Sequence, residues 1–274
     1  MSYPKPYFSY SQIKSYLTCP QAFYQSYIKG IRDPGNKYSA AGNVFHTVAE
    51  KFPVPKRSDL PAIKKLFVTE FKKIPVEYFE DSYERQEFFD KGIRMIQNYI
   101  RVYGDADEPL FVERKMHARV IDDLPPALSY IDRIDGDLDD PSTYIITDYK
   151  TSNNAWAKSK LKDEFQLGLY ALQAKAVFGE WPAVVQYYFP APDKFVIAIH
   201  QGDGIYRYQN QRAPVLEINP ADVAYTIRQA IADISAGKFE DTTGDSYFCR
   251  TWCWHHKNGL TEGPVIKQEG WGSV

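Results

Sequence analysis

The chain has 274 residues, 44% of them hydrophobic and 25% charged, which is the composition of an ordinary globular protein with enough mass for a core. A net charge of −2 and an isoelectric point near 6.2 argue against a protein that coats nucleic acid non-specifically, because such binding needs a basic surface. The chain has no run of about eighteen apolar residues, so no membrane span is expected, and its first residues lack the order of a signal peptide.

The first part of the chain carries helical signals. Ser9 or Ser11 can cap a helix that runs through Leu17, and Cys19-Pro20 ends it. Further helices are expected over Ala22–Ile28, over Ala40–Phe52, over an apolar stripe from Leu60 to Phe71 capped by Ser58, and over Tyr83–Tyr103. These segments predict a helical lobe at the N-terminal side.

From Glu108 onward the pattern changes to short strands. A weakly alternating strand is followed by one ending in Asp132–Asp135, an acidic turn-rich piece over 136–142 and a strand over Thr143–Lys150. The remaining expected elements are a helix over Leu161–Phe178, strands over Ala183–Phe189, Phe195–His200 and Ile205–Tyr208, and a helix from Asn219 to about Ser235. This order predicts an α/β fold in which a mixed central sheet is flanked by helices, with the helical lobe ahead of it.

Two carboxylates and a lysine lie on the neighbouring strands of this hairpin. Because side chains alternate along a strand, Asp148 and Lys150 share one face and Tyr149 lies opposite. Asp132 and Asp148 can hold a hard divalent cation through oxygen, and Lys150 can orient a water or offset charge on a phosphate. Solvated charges at strand ends are the alternative, although the apolar residues upstream favour a buried strand, where an unpaired charge is costly.

Two helical pairs have the spacing that puts side chains on one face. His46 and Glu50 are four residues apart, and so are Gln166 and Tyr170. Ala40-Ala41-Gly42 permits close approach of the first helix to a neighbour. Gln166 and Tyr170 could reach a phosphate or a base if their helix borders the site. Ordinary packing or surface roles are the alternative for both pairs.

Five motifs in chain order resemble the RecB-like branch of the PD-(D/E)XK nuclease superfamily, which includes CRISPR-associated exonucleases and phage-encoded relatives. The motifs are YFSYSQIKSYLTCPQAFYQSYIKGI, AAGNVFHTVAEKF, SYIDRID, IITDYKTS and FQLGLYALQ. The resemblance covers about Phe8 to Trp254 and departs from the family pattern where Ser129 or Tyr130 replaces a glycine. It implies a restriction-endonuclease-like core.

The resemblance also implies a catalytic centre. His46, Asp132 and Asp148 would bind Mg²⁺ or Mn²⁺, with the backbone carbonyl of Tyr149 as a further ligand. Lys150 would act on the attacking water and the phosphate, so that Lys150, Asp132 and Asp148 form the catalytic set. The implied reaction is hydrolysis of a phosphodiester.

The implied substrate is DNA, with Gln166 and Tyr170 positioning it near the metal and Glu50 and Glu113 in supporting roles. We expect an exonuclease on single-stranded ends or flaps, in recombination, repair or phage DNA metabolism. The 21 tyrosines and 16 phenylalanines suit stacking on unpaired bases. The alternatives are a catalytically silent DNA-binding or assembly protein of the same fold and a structure- or sequence-selective endonuclease.

Three cysteines do not form a disulfide framework, so the cytoplasm, or a host cytoplasm for a phage-encoded protein, is the expected location. Several family members hold a 4Fe–4S cluster through one N-terminal and three C-terminal cysteines. This implies Cys19, Cys249 and Cys253 as ligands here, with His255 or His256 in place of the missing cysteine. A zinc site and plain buried thiols are the alternatives.

The expected domain organisation is one nuclease domain over residues 1–262. It includes a helical insertion over about 56–104 and a cysteine-bearing segment over about 241–258. Residues 263–274 are expected to form a tail.

Overall fold

The computed structural model describes residues 3–210, 214–240, 249 and 251–261. The expected tail over 263–274 and most of the first half of the cysteine-bearing segment lie outside the described residues. The chain packs as two compact units. The first unit comprises Met1–Pro34, His117–Leu128 and Ala221–Val274, and the second unit comprises Gly35–Met116 and Ser129–Pro220. The expectation of one nuclease domain stays a prediction.

The helices and strands follow the expected order. The helices are α1 (Tyr10–Thr18), α2 (Pro20–Phe23), α3 (Lys37–Lys51), α4 (Leu60–Lys72), α5 (Ser82–Tyr103), α6 (Lys158–Leu161), α7 (Gln166–Phe178), α8 (Pro220–Ser235) and α9 (Trp254–Lys257). The strands are β1 (Phe111–Ala118), β2 (Ala127–Asp137), β3 (Asp140–Tyr149), β4 (Val184–Phe189), β5 (Lys194–His200), β6 (Tyr206–Tyr208) and β7 (Glu217–Ile218). None of the described helices has the length and apolar character to cross a membrane.

One seven-stranded sheet contains all of these strands in chain order. β3 pairs with β4 in parallel, whereas the β2–β3, β4–β5, β5–β6 and β6–β7 pairs are antiparallel. The parallel pair needs a crossover connection, and α7 lies in it. The expected mixed sheet, flanking helices and helical N-terminal region are therefore confirmed.

Capping side chains set where the early helices begin. Of the two serines expected to cap α1, Ser9 does so in a capping box with Gln12. The Asn36 side chain accepts from the N–H groups of Tyr38 and Ser39, so α3 starts three residues before the expected Ala40. After α2, the chain continues as a π-helix over Tyr24–Ile28, which matches the expected second helical piece.

Two expected local features are wrong. Ser58 does not cap α4, because it lies in a 3₁₀ turn over Arg57–Asp59. The turn between β2 and β3 comprises only residues 138–139, not 136–142. Gly136 has a φ of +136° at a register shift in β2, and this bulge lets both strands extend towards the turn.

The expected helix over Leu161–Phe178 is interrupted. α6 ends at Leu161, and α7 begins only at Gln166. Phe165 leaves the helical conformation, with φ −119° and ψ 3°, and its side chain is buried. Tertiary packing of Leu161 and Phe165 thus overrides the local helical preference and places Gln166 in the first turn of a new helix.

The core of the second unit joins α3, α4 and α5 to the sheet. Its buried side chains include Phe45, Ile63, Phe67, Met95, Tyr99, Tyr149 and Tyr188. Gly92 on α5 lies against the Phe67 ring, because a Cβ at Gly92 would be 2.6 Å from the Phe67 Cε2 and Cζ atoms. The two helices therefore approach more closely than a larger residue permits.

Gly92→Ala is expected to lower the free energy of unfolding by about 1–3 kcal/mol, because the buried Phe67 ring must move to admit the new methyl group. This loss should exceed the gain in helix propensity of about 0.5–1 kcal/mol. Urea unfolding measures the change. Gln97→Ala, at an exposed position of α5, is the matched control and should shift stability by less than about 0.5 kcal/mol. An unchanged midpoint for Gly92→Ala would contradict the close packing.

Candidate active site

The two aspartates of the hairpin lie side by side. Arg133 on β2 pairs with Thr147 on β3, so Asp132 and Asp148 are the next residues along the two strands. Both are buried, with 9% and 5% of their surface exposed. The Tyr149 N–H donates a hydrogen bond of 2.6 Å to Asp132 Oδ2, which fixes that carboxylate against the end of β3.

Helix α3 brings an imidazole to this point. Gly42 permits the approach, because a Cβ there would lie 3.0 Å from Thr151 Oγ1 in the segment that follows β3. One turn further along, His46 Nδ1 lies 3.1 Å from Asp132 Oδ1. The ring of His46 packs edge-on against Phe45. The close approach expected from Ala40-Ala41-Gly42 is thus present.

Glu113 on β1 completes a cluster with His46 and Asp132. One ligand atom from each of these three side chains lies within 4.8 Å of the other two, and the part of the chain that the structure describes contains no other such group of His, Cys, Asp or Glu. Glu113 has a φ of +48°, a conformation that non-glycine residues rarely adopt and that often marks functional sites. The sequence assigns Glu113 only a supporting role, since a weakly alternating strand does not reveal a positive φ.

Burial and crowded charge shift the pKa values of this cluster. Burial raises the pKa of Glu113 to about 7, and the nearby charge of Asp132 adds to the effect. Burial lowers the pKa of His46, but its hydrogen bond to Asp132 and the charges of Asp132, Asp148 and Glu113 raise it overall. Burial also raises the pKa of Asp148, although Lys150 opposes the shift. Ionised carboxylates are therefore costly at this point unless a positive charge compensates them, which a bound cation would do.

A network of side chains holds Lys150 beside Asp148. Lys150 Nζ lies 2.7 Å from Asp148 Oδ2 as an ion pair and donates a hydrogen bond of 2.7 Å to Gln166 Oε1. The Gln166 amide donates to Asp148 Oδ1 at 2.8 Å, and the Tyr170 hydroxyl donates to the same oxygen at 3.0 Å. Gln166 and Tyr170 are both buried. Gln166 and Tyr170 at the start of α7 thus orient Asp148 and Lys150.

Glu50 is close enough to the cluster for its charge to help raise the pKa of Glu113. Glu50 is exposed on α3, with its carboxylate 3.5 Å from Lys51 Nζ. A ligand role for the Tyr149 carbonyl stays a prediction.

The donor set of the cluster fits a divalent cation. A Mg²⁺ ion binds oxygen at about 2.1 Å, so ligand atoms on opposite sides of it are roughly 4 Å apart, close to the spacing within the cluster. Two carboxylates supply the hard oxygen donors that suit Mg²⁺ and Mn²⁺, and a neutral imidazole is a further ligand for transition metals. Asp148 Oδ2 is buried and faces the Lys150 ammonium at 2.7 Å, so this carboxylate is already paired with a cation next to the cluster.

The cysteine set lies in the first unit. Cys19, Cys249 and Cys253 are buried and form no disulfide. The Cys19 Sγ accepts a hydrogen bond from the Ala22 N–H at 3.4 Å, and His255 Nε2 lies 2.8 Å from the Ile31 carbonyl oxygen. His256 Nδ1 lies 3.1 Å from Thr261 Oγ1. These described residues do not form a group of three with metal-ligand spacing, and the iron–sulfur or zinc site stays a prediction.

Comparison with known proteins gives one match over most of the chain. The sequence model of the PD-(D/E)XK nuclease superfamily matches residues 7–257, which include every residue of the cluster and of the Lys150 network. No curated protein matches the chain.

Proposed function

This chain belongs to the PD-(D/E)XK nuclease superfamily, and we propose that it is a DNA exonuclease of the RecB-like branch. Membership and the candidate metal cluster support a metal-dependent nuclease that acts on DNA. The finer assignment is an enzyme that uses Mg²⁺ or Mn²⁺ to digest single-stranded ends or flaps. Its proposed setting is recombination, repair or phage DNA metabolism in the cytoplasm. The observation that supports it best is that Lys150 and the cluster of His46, Glu113 and Asp132 converge on one end of the β2–β3 hairpin.

His46, Glu113 and Asp132 would hold the cation, with Asp148 as a further ligand. When bound, a divalent ion activates water and offsets negative charge on the phosphate. Lys150 Nζ is held between Asp148 and Gln166, and about a fifth of its side chain is exposed. Its ammonium can therefore donate to a phosphate oxygen or orient the attacking water. Gln166 and Tyr170 keep Asp148 and Lys150 in place. Their proposed role in positioning DNA would act through these two residues.

Digestion of linear and circular DNA tests the proposal. The wild-type protein should degrade end-labelled linear single strands in Mg²⁺ or Mn²⁺, leave closed circles intact and be inactive in EDTA. Cleavage of closed circles at fixed sites would instead identify a sequence-selective endonuclease. Binding without cleavage in every divalent metal would indicate a catalytically silent DNA-binding protein.

Mn²⁺ is expected to stabilise the protein through the cluster. A ligand at one hundred times its Kd adds about 2.7 kcal/mol, which corresponds to a rise in Tm of roughly 5–10 °C. Glu113→Gln should abolish most of this rise, because it removes one charged donor. In EDTA the same variant should melt no lower than the wild type, since it relieves the crowding of Glu113 and Asp132. Differential scanning calorimetry measures both effects. Glu77→Gln, at an exposed position, is the control, and a full Mn²⁺ shift in Glu113→Gln would exclude Glu113 as a ligand.

A further inference from the structure

A cavity of about 400 Å³ opens beside Lys150 in the second unit. Helices α3 and α5 and the segment after β3 line it, and we call it the Lys150 cavity. Three lysines (Lys91, Lys150 and Lys160) and three aromatic residues (Tyr38, Phe88 and Trp156) contribute to its lining. None of the described residues that line it is acidic, although the chain as a whole has a net charge of −2. The cavity is therefore a local concentration of positive charge next to the catalytic lysine.

Lys91 points to an anionic ligand. It is partly buried on α5 and has no hydrogen-bond or ion-pair partner within the described part of the chain. Burial, together with the charge of Arg94, lowers the pKa of Lys91. A partly buried ammonium without a carboxylate is costly, and a phosphate in the cavity would remove that cost.

The aromatic residues supply flat surfaces for a base. Tyr38 is 49% exposed, and its ring is held edge-on to Phe88 at a centroid distance of 5.4 Å. Trp156 packs against Tyr187 at 4.9 Å, and Lys160 Nζ lies 3.9 Å from the centroid of the Trp156 ring. Aromatic rings beside lysines are the arrangement by which proteins hold unpaired nucleotides, since every base has a face that can stack.

The size of the cavity favours single-stranded DNA over duplex DNA. A volume of about 400 Å³ is that of a site for one small molecule, so it admits a nucleotide and not a base-paired duplex. A paired base is stacked within its helix and must leave the stack before it can enter such a cavity. The cavity thus fits a strand end or a flap.

We propose that the Lys150 cavity binds one unpaired nucleotide next to the phosphate that is cut, with its base on Tyr38 and a phosphate on Lys91. This inference rests on the proposed function and adds a reason for strand selectivity: an unpaired nucleotide fills the cavity, and a duplex cannot. Lys150 then lies between the bound nucleotide and the metal cluster.

Binding in EDTA tests the inference without cleavage. Fluorescence anisotropy compares a short labelled oligothymidine with a hairpin duplex, for the wild type, Tyr38→Ala and Lys91→Gln. Tyr38→Ala should weaken binding of the single strand about 5- to 100-fold, the range for loss of one stacked base. Lys91→Gln should weaken it and lower the slope of log K against log salt concentration by about 0.7, as expected for one lost phosphate contact. Hairpin binding should not change in either variant.

Matched controls are available on the same unit. Tyr83→Ala and Lys64→Gln replace an exposed tyrosine on α5 and an exposed lysine on α4, and both should bind the single strand as the wild type does. Thermal melting checks that each variant is folded. Photo-crosslinking of the wild type to an oligonucleotide with a terminal 5-iododeoxyuridine gives a second measurement, and the adduct should map to Tyr38 or Trp156.

Unchanged single-strand binding in both variants, equal losses for strand and hairpin, or an adduct only outside the cavity would overturn the inference. The cleavage assay distinguishes a failure of the cavity inference from a failure of the proposed function. If the wild type digests DNA in Mn²⁺ but the variants bind as the wild type does, the cavity assignment is wrong and the proposed function stands. If the wild type digests no DNA, the proposed function fails, and the binding and crosslinking results still decide whether the cavity holds a nucleotide.

Discussion

Lys150→Ala is expected to lower DNA cleavage about 100- to 1000-fold, the usual effect of removing one group that stabilises charge in the transition state. Within the described residues, Lys150 provides the one ammonium that forms an ion pair with Asp148, at 2.7 Å. The other residues of the proposed DNA site are unchanged in this variant. The Kd for single-stranded DNA should therefore change far less than the cleavage rate. Single-turnover digestion of an end-labelled strand in Mn²⁺ measures the rate.

The controls for Lys150 separate charge from geometry. Lys150→Arg keeps the charge but changes the shape of the donor, so it should recover only part of the activity. Lys115→Ala, at an exposed position of β1, should cleave at the wild-type rate. The melting temperature of each variant is measured in parallel, because Lys150→Ala leaves Asp148 without its cation. Equal cleavage by Lys150→Ala and the wild type would remove Lys150 from the mechanism.

Arg133→Ala should lower the free energy of unfolding by about 3–5 kcal/mol, as expected when a large, fully buried side chain is cut back to alanine. Only 1% of Arg133 is exposed. Its Nε donates to both carboxylate oxygens of Asp135, its Nη1 donates to the Pro53 carbonyl at 2.6 Å, and the guanidinium lies 4.3 Å from the centroid of the Tyr103 ring. Without Arg133, these groups lose their partner and the site becomes a cavity within the core.

Urea unfolding with circular dichroism measures this effect. Arg94→Ala, at an exposed position of α5, is the control and should change stability by less than about 0.5 kcal/mol. Asp135→Ala should also destabilise the fold, because it leaves the buried Arg133 guanidinium without its carboxylate, although the Pro53 carbonyl still accepts from Arg133. Equal unfolding midpoints for Arg133→Ala and the wild type would show that this arginine does not support the fold. The expected result identifies Arg133 as the structural member of the Asp-Arg-Ile-Asp motif.

Local sequence specified most elements and part of the site. Ser9 precedes a helix that its own side chain caps, and the strand period of two places Asp148 and Lys150 on one face. The order of the five motifs implied a nuclease fold, and the superfamily match and the mixed sheet confirm the superfamily and the fold class, whereas the RecB-like branch stays a prediction. These features depend on residues close together in the chain or on spacing along one element, so a single sequence suffices to find them.

The rest of the site required the folded chain. Glu113 lies within ligand distance of Asp132 and His46 at a position of positive φ in β1, and no residue pattern encodes that angle. Gln166, which donates to Asp148, is the first residue of α7, whereas the sequence placed it inside a longer helix. His46 and Asp132 are 86 residues apart, and their contact depends on how α3 packs against the end of β3. Contacts of this kind arise from the packing of distant elements, whereas local signals report only on the few residues around them.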